Sequence, residues 1–436
     1  MHDLVLFLGI VGGLGITVAY PYVGALLWAW FTLQQPHQLA YGVVTEVPLN
    51  YVIAVVTLVA WFLSQERKIP PAGFIFWMST IFVLWMAITT FFAFDPVQSW
   101  PYWNLTWKTF LLGFLIAAMA TSRTRIDALI WIVVISLFYY GVKGGLFTIL
   151  TGGGSMVFGP EGSTIADNNQ LALALLMVLP FAIYLRGQVS DKRISYFLIA
   201  GIGLTVIAVV GSYSRGGLIG LGALGLFILL RVRNRFLYLA IASVLLVFVL
   251  NFMPEQFFQR VDTISTATIS TSTPNVDNPI EGRVYSWRVA FLYASDHFPL
   301  GAGFYGPQLG ALYHQYFPDR VPLAAHSIYF QVLGEHGFIG LAMYLAILAA
   351  AFITCSRIIS VTREIPDRQW AHDLAVSIQA SLFVFCVAGA ALSLAYYDLF
   401  IIDIALLLPL RELVLLERKQ KRQAWKHPLA SVSQEI

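Results

Sequence analysis

Three short stretches hold the residues best suited to chemistry: two carry arginines and one a histidine. The first is Gly211-Ser212-Tyr213-Ser214-Arg215-Gly216-Gly217. Its glycines permit a compact turn and close backbone approach, and Arg215 offers a planar fork of donors that matches phosphate. The second is Arg283-Val284-Tyr285-Ser286-Trp287-Arg288, in which Val284, Trp287 and Phe291 recur at helical spacing. That pattern predicts an amphipathic helix on a membrane surface, with Arg288 beside its apolar stripe. The third is Ala325-His326-Ser327-Ile328-Tyr329, followed by Gly334-Glu335-His336-Gly337. Histidine takes up a proton near neutral pH, which is what a general base requires. Arginines would hold an anion while the imidazole removes a proton.

Each stretch also has a plainer reading. Arg215 reads equally as a cation snorkelling at a helix end, and Arg288 as a contact to anionic lipid headgroups. A lone interfacial histidine is commonly a hydrogen-bonding neighbour. Tyr213, Ser214, Arg283 and Ser327 are supporting candidates beside these three residues. His336, ten residues on and roughly on the His326 face of a helix, reads with Glu335 as a structural or supporting group. The sequence holds no D-x-D and no H-x-x-x-H, and Asp95, Glu161, Asp167, Asp296, Asp319 and Asp398 stand isolated. No spacing describes a divalent-cation cage, so arginines without a metal or cofactor are the expected handlers of phosphate.

The elements that must position these residues are membrane spans. The 436-residue chain is 58% hydrophobic and only 11% charged, against roughly 25% charged in soluble proteins. Runs such as 74–92, 171–185, 194–210 and 236–250 approach the ~20 apolar residues that cross a bilayer. The prediction is an all-α polytopic integral membrane protein of about twelve transmembrane helices. The segments fall near 3–19, 48–63, 72–92, 106–120, 127–149, 169–185, 194–211, 216–230, 236–251, 327–354, 374–393 and 399–416. Residues 22–34 either extend or break the first helix. The first twenty residues lack a basic leader and a cleavage site, and read as a retained helix. Cys355 and Cys386 cannot make a disulfide framework. Nothing in the composition suggests a nucleic-acid partner.

Charge orients the spans. One set of loops and the C-terminal tail hold 19 of the 26 basic residues; the alternate loops hold Lys108, Lys143, Arg215, Arg260, Arg283, Arg288 and Arg320. The positive-inside rule makes the first set cytoplasmic, with both termini, and puts the long loop 252–326 outside. The expected organisation is an N-terminal bundle at 1–251, that loop as a helical subdomain, C-terminal spans at 327–416, and a basic tail at 417–436. Within the loop, 263–273 is rich in serine and threonine and reads as a mobile segment. The glycine-rich loop 151–170 suits either sugar hydroxyls or a flexible connector. Asp403, inside the last span, is a costly carboxylate expected to face the bundle.

In combination the motifs resemble the O-antigen ligase superfamily. They are Ser214-Arg215-Gly216-Gly217, the Arg283 to Arg288 run, Pro299-Leu300-Gly301-Ala302-Gly303, and His326-Ser327 leading to Glu335-His336-Gly337 and Gly340. Val142-Lys143-Gly144-Gly145, Gly159-Pro160-Glu161-Gly162 and Asp167-Asn168-Asn169 are similar to its O-glycosylation ligase branch. Many relatives carry Asn after the histidine where this chain has Ser327. The resemblance implies a GT-C-like glycosyltransferase of the bacterial inner membrane, working on its periplasmic face. It implies an undecaprenyl-diphosphate-linked glycan donor, a lipid A–core acceptor and surrounding membrane lipids as partners. Arg215 and Arg288 become the diphosphate-binding pair and His326 the base of an inverting, metal-independent transfer. O-antigen polymerase and protein O-oligosaccharyltransferase share the donor and remain alternatives. A lipid-linked glycan flippase is the alternative of another class, although no internal repeat of the transporter kind is visible.

Overall fold

The computed structural model describes residues 2–39, 47–231 and 279–426. The expected span 236–251 and the loop residues 252–278, with their serine- and threonine-rich stretch, lie outside the described residues. The regular elements among the described residues are all helices, with no strand among them. The helices are α1 His2–Ala19, α2 Pro21–Gln34, α3 Leu49–Leu63, α4 Phe74–Phe91, α5 Pro96–Met119, α6 Arg123–Leu150 and α7 Asn168–Gln188. After them come α8 Lys192–Gly211, α9 Arg215–Leu229, α10 Pro279–Asp296, α11 Gly310–Tyr316, α12 Ile328–Thr362, α13 Gln369–Gly389 and α14 Asp398–Lys426.

Six described segments are long and apolar enough to cross a membrane: α4, α6, α7, α8, α12 and the stretch Pro366–Gly389 that contains α13. Val5–Ala19, Leu49–Leu63 and Arg215–Leu229 are apolar but shorter. The chain is thus a polytopic helical membrane protein. Residues 22–34 resolve as a helix of their own, because Pro21 starts α2 after a break at Tyr20 and proline is favoured in a first helical turn.

The helices pack around one large apolar core to which α7 contributes an almost unbroken run from Leu171 to Ala182. Such a helix, apolar all round, belongs at the centre of a bundle. Close packing there depends on small residues: a Cβ at Gly145 would lie 2.2 Å from the Leu204 carbonyl oxygen, and one at Gly141 2.2 Å from Thr205 Oγ1. Small residues at helix contacts are how membrane helices approach each other without a hydrophobic driving force between them. A separate small cluster of Val289, Tyr293, Ala302, Leu312 and Tyr313 binds α10 and α11 together at one end of the bundle.

α12 is broken about two and a half turns inside that end, at Gly337. Gly337 has φ 70° and ψ −174°, a backbone that L side chains rarely adopt. The break releases carbonyls that a continuous helix would satisfy internally, and in a membrane protein these need partners from the protein itself. Ala302 N–H donates to the Gly334 carbonyl at 2.8 Å and Gly303 N–H to the Glu335 carbonyl at 2.9 Å. Trp85 Nε1 donates to the His336 carbonyl at 2.9 Å. The Pro299 to Gly303 motif is therefore the patch over a broken span. Its glycines are required by contact: a Cβ on Gly301 would lie 2.5 Å from the Glu335 backbone.

Candidate functional site

Ser214 caps α9, accepting from Gly217 N–H at 2.9 Å and donating to Asn169 Oδ1 at 2.8 Å. Asn168 Nδ2 donates to the Ser212 carbonyl at 2.7 Å, and Asp167 Oδ1 accepts from the Asn169 backbone and side chain at 2.8 and 2.9 Å. Tyr213, at φ 53°, donates its hydroxyl to the Gly153 carbonyl. The turn that presents Arg215 is thus held by the start of α7 and by the glycine-rich loop before it. Arg215 is the first residue of α9, so its cation and the unsatisfied N–H groups of the first turn share one end.

α10 supplies the second wall and also holds the third. Ser286 Oγ donates to the Leu323 carbonyl at 3.1 Å and Trp287 Nε1 to the Ala325 carbonyl at 2.6 Å. The Trp287 ring stacks on Phe330 with centroids 5.0 Å apart. These contacts anchor the strand-like lead into His326, which takes φ 45° immediately before α12. Ser327 is the buried N-cap of α12, without a side-chain capping bond. The sequence assigned Trp287 to an apolar stripe; in the structure its ring is apolar contact and its indole N–H positions the histidine's loop.

Charge shows which residues meet. Burial first, and then the Arg215 guanidinium, lower the proton affinity of Arg283. Burial first, and then Arg283, hold His326 below the usual histidine value, while the Asp167 carboxylate opposes them. Arg215, Arg283, His326 and Asp167 therefore form one electrostatic cluster drawn from four separate elements. Arg288 stands elsewhere: it is exposed, with its guanidinium carbon 5.4 Å from the Phe317 ring centroid. Five residues apart on a helix is a rotation of about 140°, so Arg283 and Arg288 cannot share a face.

Glu335 and His336 separate from His326 in the same way, because the break at Gly337 and the packing of α12 bury both. His336 is fully buried, its Nδ1 2.7 Å from Thr89 Oγ1. Glu335 accepts from Tyr396 hydroxyl at 2.7 Å and from Tyr305 N–H at 3.2 Å, and it lines a cavity of about 1320 Å³. Gln170, next to Asn169 in sequence, and Ala324, two residues before His326, line the same cavity, so the segments that carry the cluster reach its wall. Tyr305, Gln331 and Tyr396 were not singled out from the sequence; aromatic and carboxamide residues carry no signal until tertiary contact surrounds a carboxylate with them. No three His, Cys, Asp or Glu side chains converge as a metal site among the described residues.

Comparison with known proteins divides the chain near the start of α8. Residues 1–191 match a family of unknown function (DUF5935), and residues 200–345 match the O-antigen ligase family. No curated protein matches the chain. Arg215, Arg283, Arg288, His326 and Glu335 all fall in the second match, while the Asp167 to Asn169 brace falls in the first. The match that holds the arginines and the histidine, residues 200–345, is to the O-antigen ligase family and supports the resemblance read from the motifs.

Proposed function

We propose that the protein is an O-antigen ligase that transfers a glycan from undecaprenyl diphosphate to lipid A–core on the periplasmic face of the inner membrane. The observation that carries this reading is the cluster of Arg215, Arg283 and His326, on segments that reach the wall of a large cavity, inside the residues that match the ligase family. Two neighbouring guanidiniums are a surrounding that added negative charge stabilises. A lipid diphosphate brings that charge.

In the proposed reaction the acceptor hydroxyl attacks the anomeric carbon as the bond to the diphosphate oxygen breaks, inverting that centre. His326, kept neutral by burial and by Arg283, takes the hydroxyl proton. Arg215 and Arg283 stabilise the charge that builds on the departing diphosphate, and the first turn of α9 adds its dipole. Arg283 replaces Arg288 in this role because Arg283 shares the electrostatic cluster. Arg288, on another face of α10, is assigned to the surface. No metal enters the scheme, since arginines supply the positive charge.

An apolar groove of about 260 Å³ between α4, α5 and α14 suits a polyprenyl tail. Trp107 and Leu111 line both the groove and the large cavity, so an amphipathic donor can occupy the two at once. The GT-C-like class, cytoplasmic termini and outward-facing site belong to the same proposal; the charge asymmetry of the loops supports the orientation.

The test is glycan transfer by purified protein in detergent, with lipid-linked O-antigen, lipid A–core and EDTA. Product from wild type, with loss in His326→Ala, supports the reading. Wild-type transfer to a protein or to another glycan chain, with none to lipid A–core, would move the assignment to the O-oligosaccharyltransferase or the polymerase.

A further inference from the structure

The 1320 Å³ cavity is larger than the 300–1,000 Å³ typical of sites for single small molecules. Its walls carry aromatic rings and carboxamides, among them Tyr102, Trp107, Gln35, Asn104 and Gln308. Tyr102 stacks on Tyr305 with centroids 5.3 Å apart and planes 7° from parallel. Flat apolar faces alternating with amide donors and acceptors match the two sides of a sugar ring. Ionisable groups are few: among the described residues its wall holds the acids Glu335 and Asp398, the bases Lys108 and His37, and no arginine. The diphosphate cluster and this cavity thus differ in charge although the segments of the one reach the wall of the other.

Glu335 is 5% exposed and still reaches the cavity wall. Tyr396 hydroxyl donates to Oε2; Tyr305 N–H and, at 3.5 Å, Gln331 Nε2 donate to Oε1. Gln331 is itself held, its Oε1 accepting from Ala395 N–H at 3.1 Å. A carboxylate has about four acceptor sites, so these three donors leave one for a ligand. Asp398 is already engaged by Thr109 Oγ1 at 2.9 Å. A carboxylate so fixed, in a wall without arginine, accepts from a hydroxyl or ammonium group and repels a carboxylate or phosphate.

We propose that Glu335 is the specificity-determining carboxylate of a glycan-binding cavity, which takes neutral or amino sugars and rejects anionic ones near the transferred end. The proposal rests on the ligase reading for the origin of the glycan, but its recognition chemistry can be measured without turnover. The full-length protein in detergent is titrated with matched neutral, amino-sugar and uronate oligosaccharides, and separately with geranylgeranyl diphosphate, following tryptophan fluorescence.

Wild type is expected to bind neutral or amino members and not uronates. Glu335→Gln should weaken that binding by about tenfold or more and admit uronates, with geranylgeranyl diphosphate binding unchanged. Asn104→Trp, a bulky change at an exposed wall position that leaves Glu335 and its donors in place, should block oligosaccharides alone. Binding of uronates by wild type, binding of no oligosaccharide at all, or an equal loss of both probe classes in Glu335→Gln would overturn the proposal. Should Glu335→Gln fail to fold, oligosaccharide binding undiminished in Asn104→Trp would do so. Diphosphate binding indifferent to Arg215→Ala and Arg283→Ala would instead count against the ligase reading.

Discussion

Arginines across the helix bundle differ in their charged neighbours, even around α10, where Arg320 pairs with Glu281 at 2.9 Å. At one end Arg125 makes a paired contact with Glu66 at 2.6 and 2.8 Å, Arg67 pairs with Glu412, and Arg123 pairs with Asp127. Arg125 also lies 5.2 Å from the Tyr22 ring centroid and donates to the Met119 carbonyl. These cations close contacts between helix ends. At the other end Arg283 is half-buried with Arg215 as its charged neighbour, and a histidine feels both burial and that positive charge. A cation beside a carboxylate closes a contact within the fold, whereas two arginines and a histidine near the single carboxylate of Asp167 make a surrounding that favours added negative charge. The lesson is that neighbours, more than the count of basic residues, separate a structural arginine from one suited to ligand.

The largest expected effect falls on His326. Its replacement by Ala should lower single-turnover glycan transfer by roughly 10²–10⁴-fold, the usual worth of a positioned base, with the protein folded and extracted normally. Near-wild-type transfer by His326→Ala would remove the base from the scheme. Next come the arginines: Arg215→Ala and Arg283→Ala should each cost roughly 10²–10³-fold in transfer, while Arg288→Ala should cost under about tenfold. The same assay run on the three variants decides between the two α10 arginines, and a reversed order would restore Arg288 to the diphosphate.

The opposite end should respond in stability and not in rate. Arg125→Ala is expected to lower the thermal midpoint in detergent, by an amount equivalent to about 1 kcal/mol for a half-buried, doubly bonded pair. Transfer per folded molecule should be unchanged; a rate loss with an unchanged midpoint would dissolve the contrast between the ends. The smallest effect is in pH. Because His326 sits below the usual histidine value, kcat/KM should hold through neutral pH and fall only on further acidification. Arg283→Ala removes a positive neighbour and should move that acid limb to higher pH; Asp167→Asn removes the opposing carboxylate and should move it lower. Both shifts should be about one pH unit or less, and coincident profiles for the two variants would refute the electrostatic coupling.

Much of this was legible in the residues. Uncharged runs located most of the described helices, since a helix in hydrocarbon must present apolar groups along its length, but not all their ends: α5 begins at Pro96 against an expected 106, and α12 ends at Thr362 against 354. α7, α8 and α9 match their expected spans 169–185, 194–211 and 216–230 closely. The compact turn at Gly211 to Gly217 was legible from its glycines, whereas the cap that Ser214 places on α9 emerged only in the structure. The Asp167 to Asn169 brace was visible as a motif but not as a partner of Ser214, because their meeting depends on two helices packing side by side.

By itself, then, the sequence determined that this is a helical membrane protein, where most of its described helices lie, and which residue types could handle an anion and a proton. Those properties follow from local hydrophobicity and side-chain chemistry, which each residue carries wherever it sits. Only the tertiary structure brings Arg283 to where the charges of Arg215 and His326 are felt, since the meeting depends on how α9, α10 and the His326 loop pack. It also decided that Glu335 leaves the histidine's neighbourhood for the cavity. The break at Gly337 is stable only because Gly303, Ala302 and Trp85 satisfy the carbonyls it frees, and those partners come from distant stretches of chain.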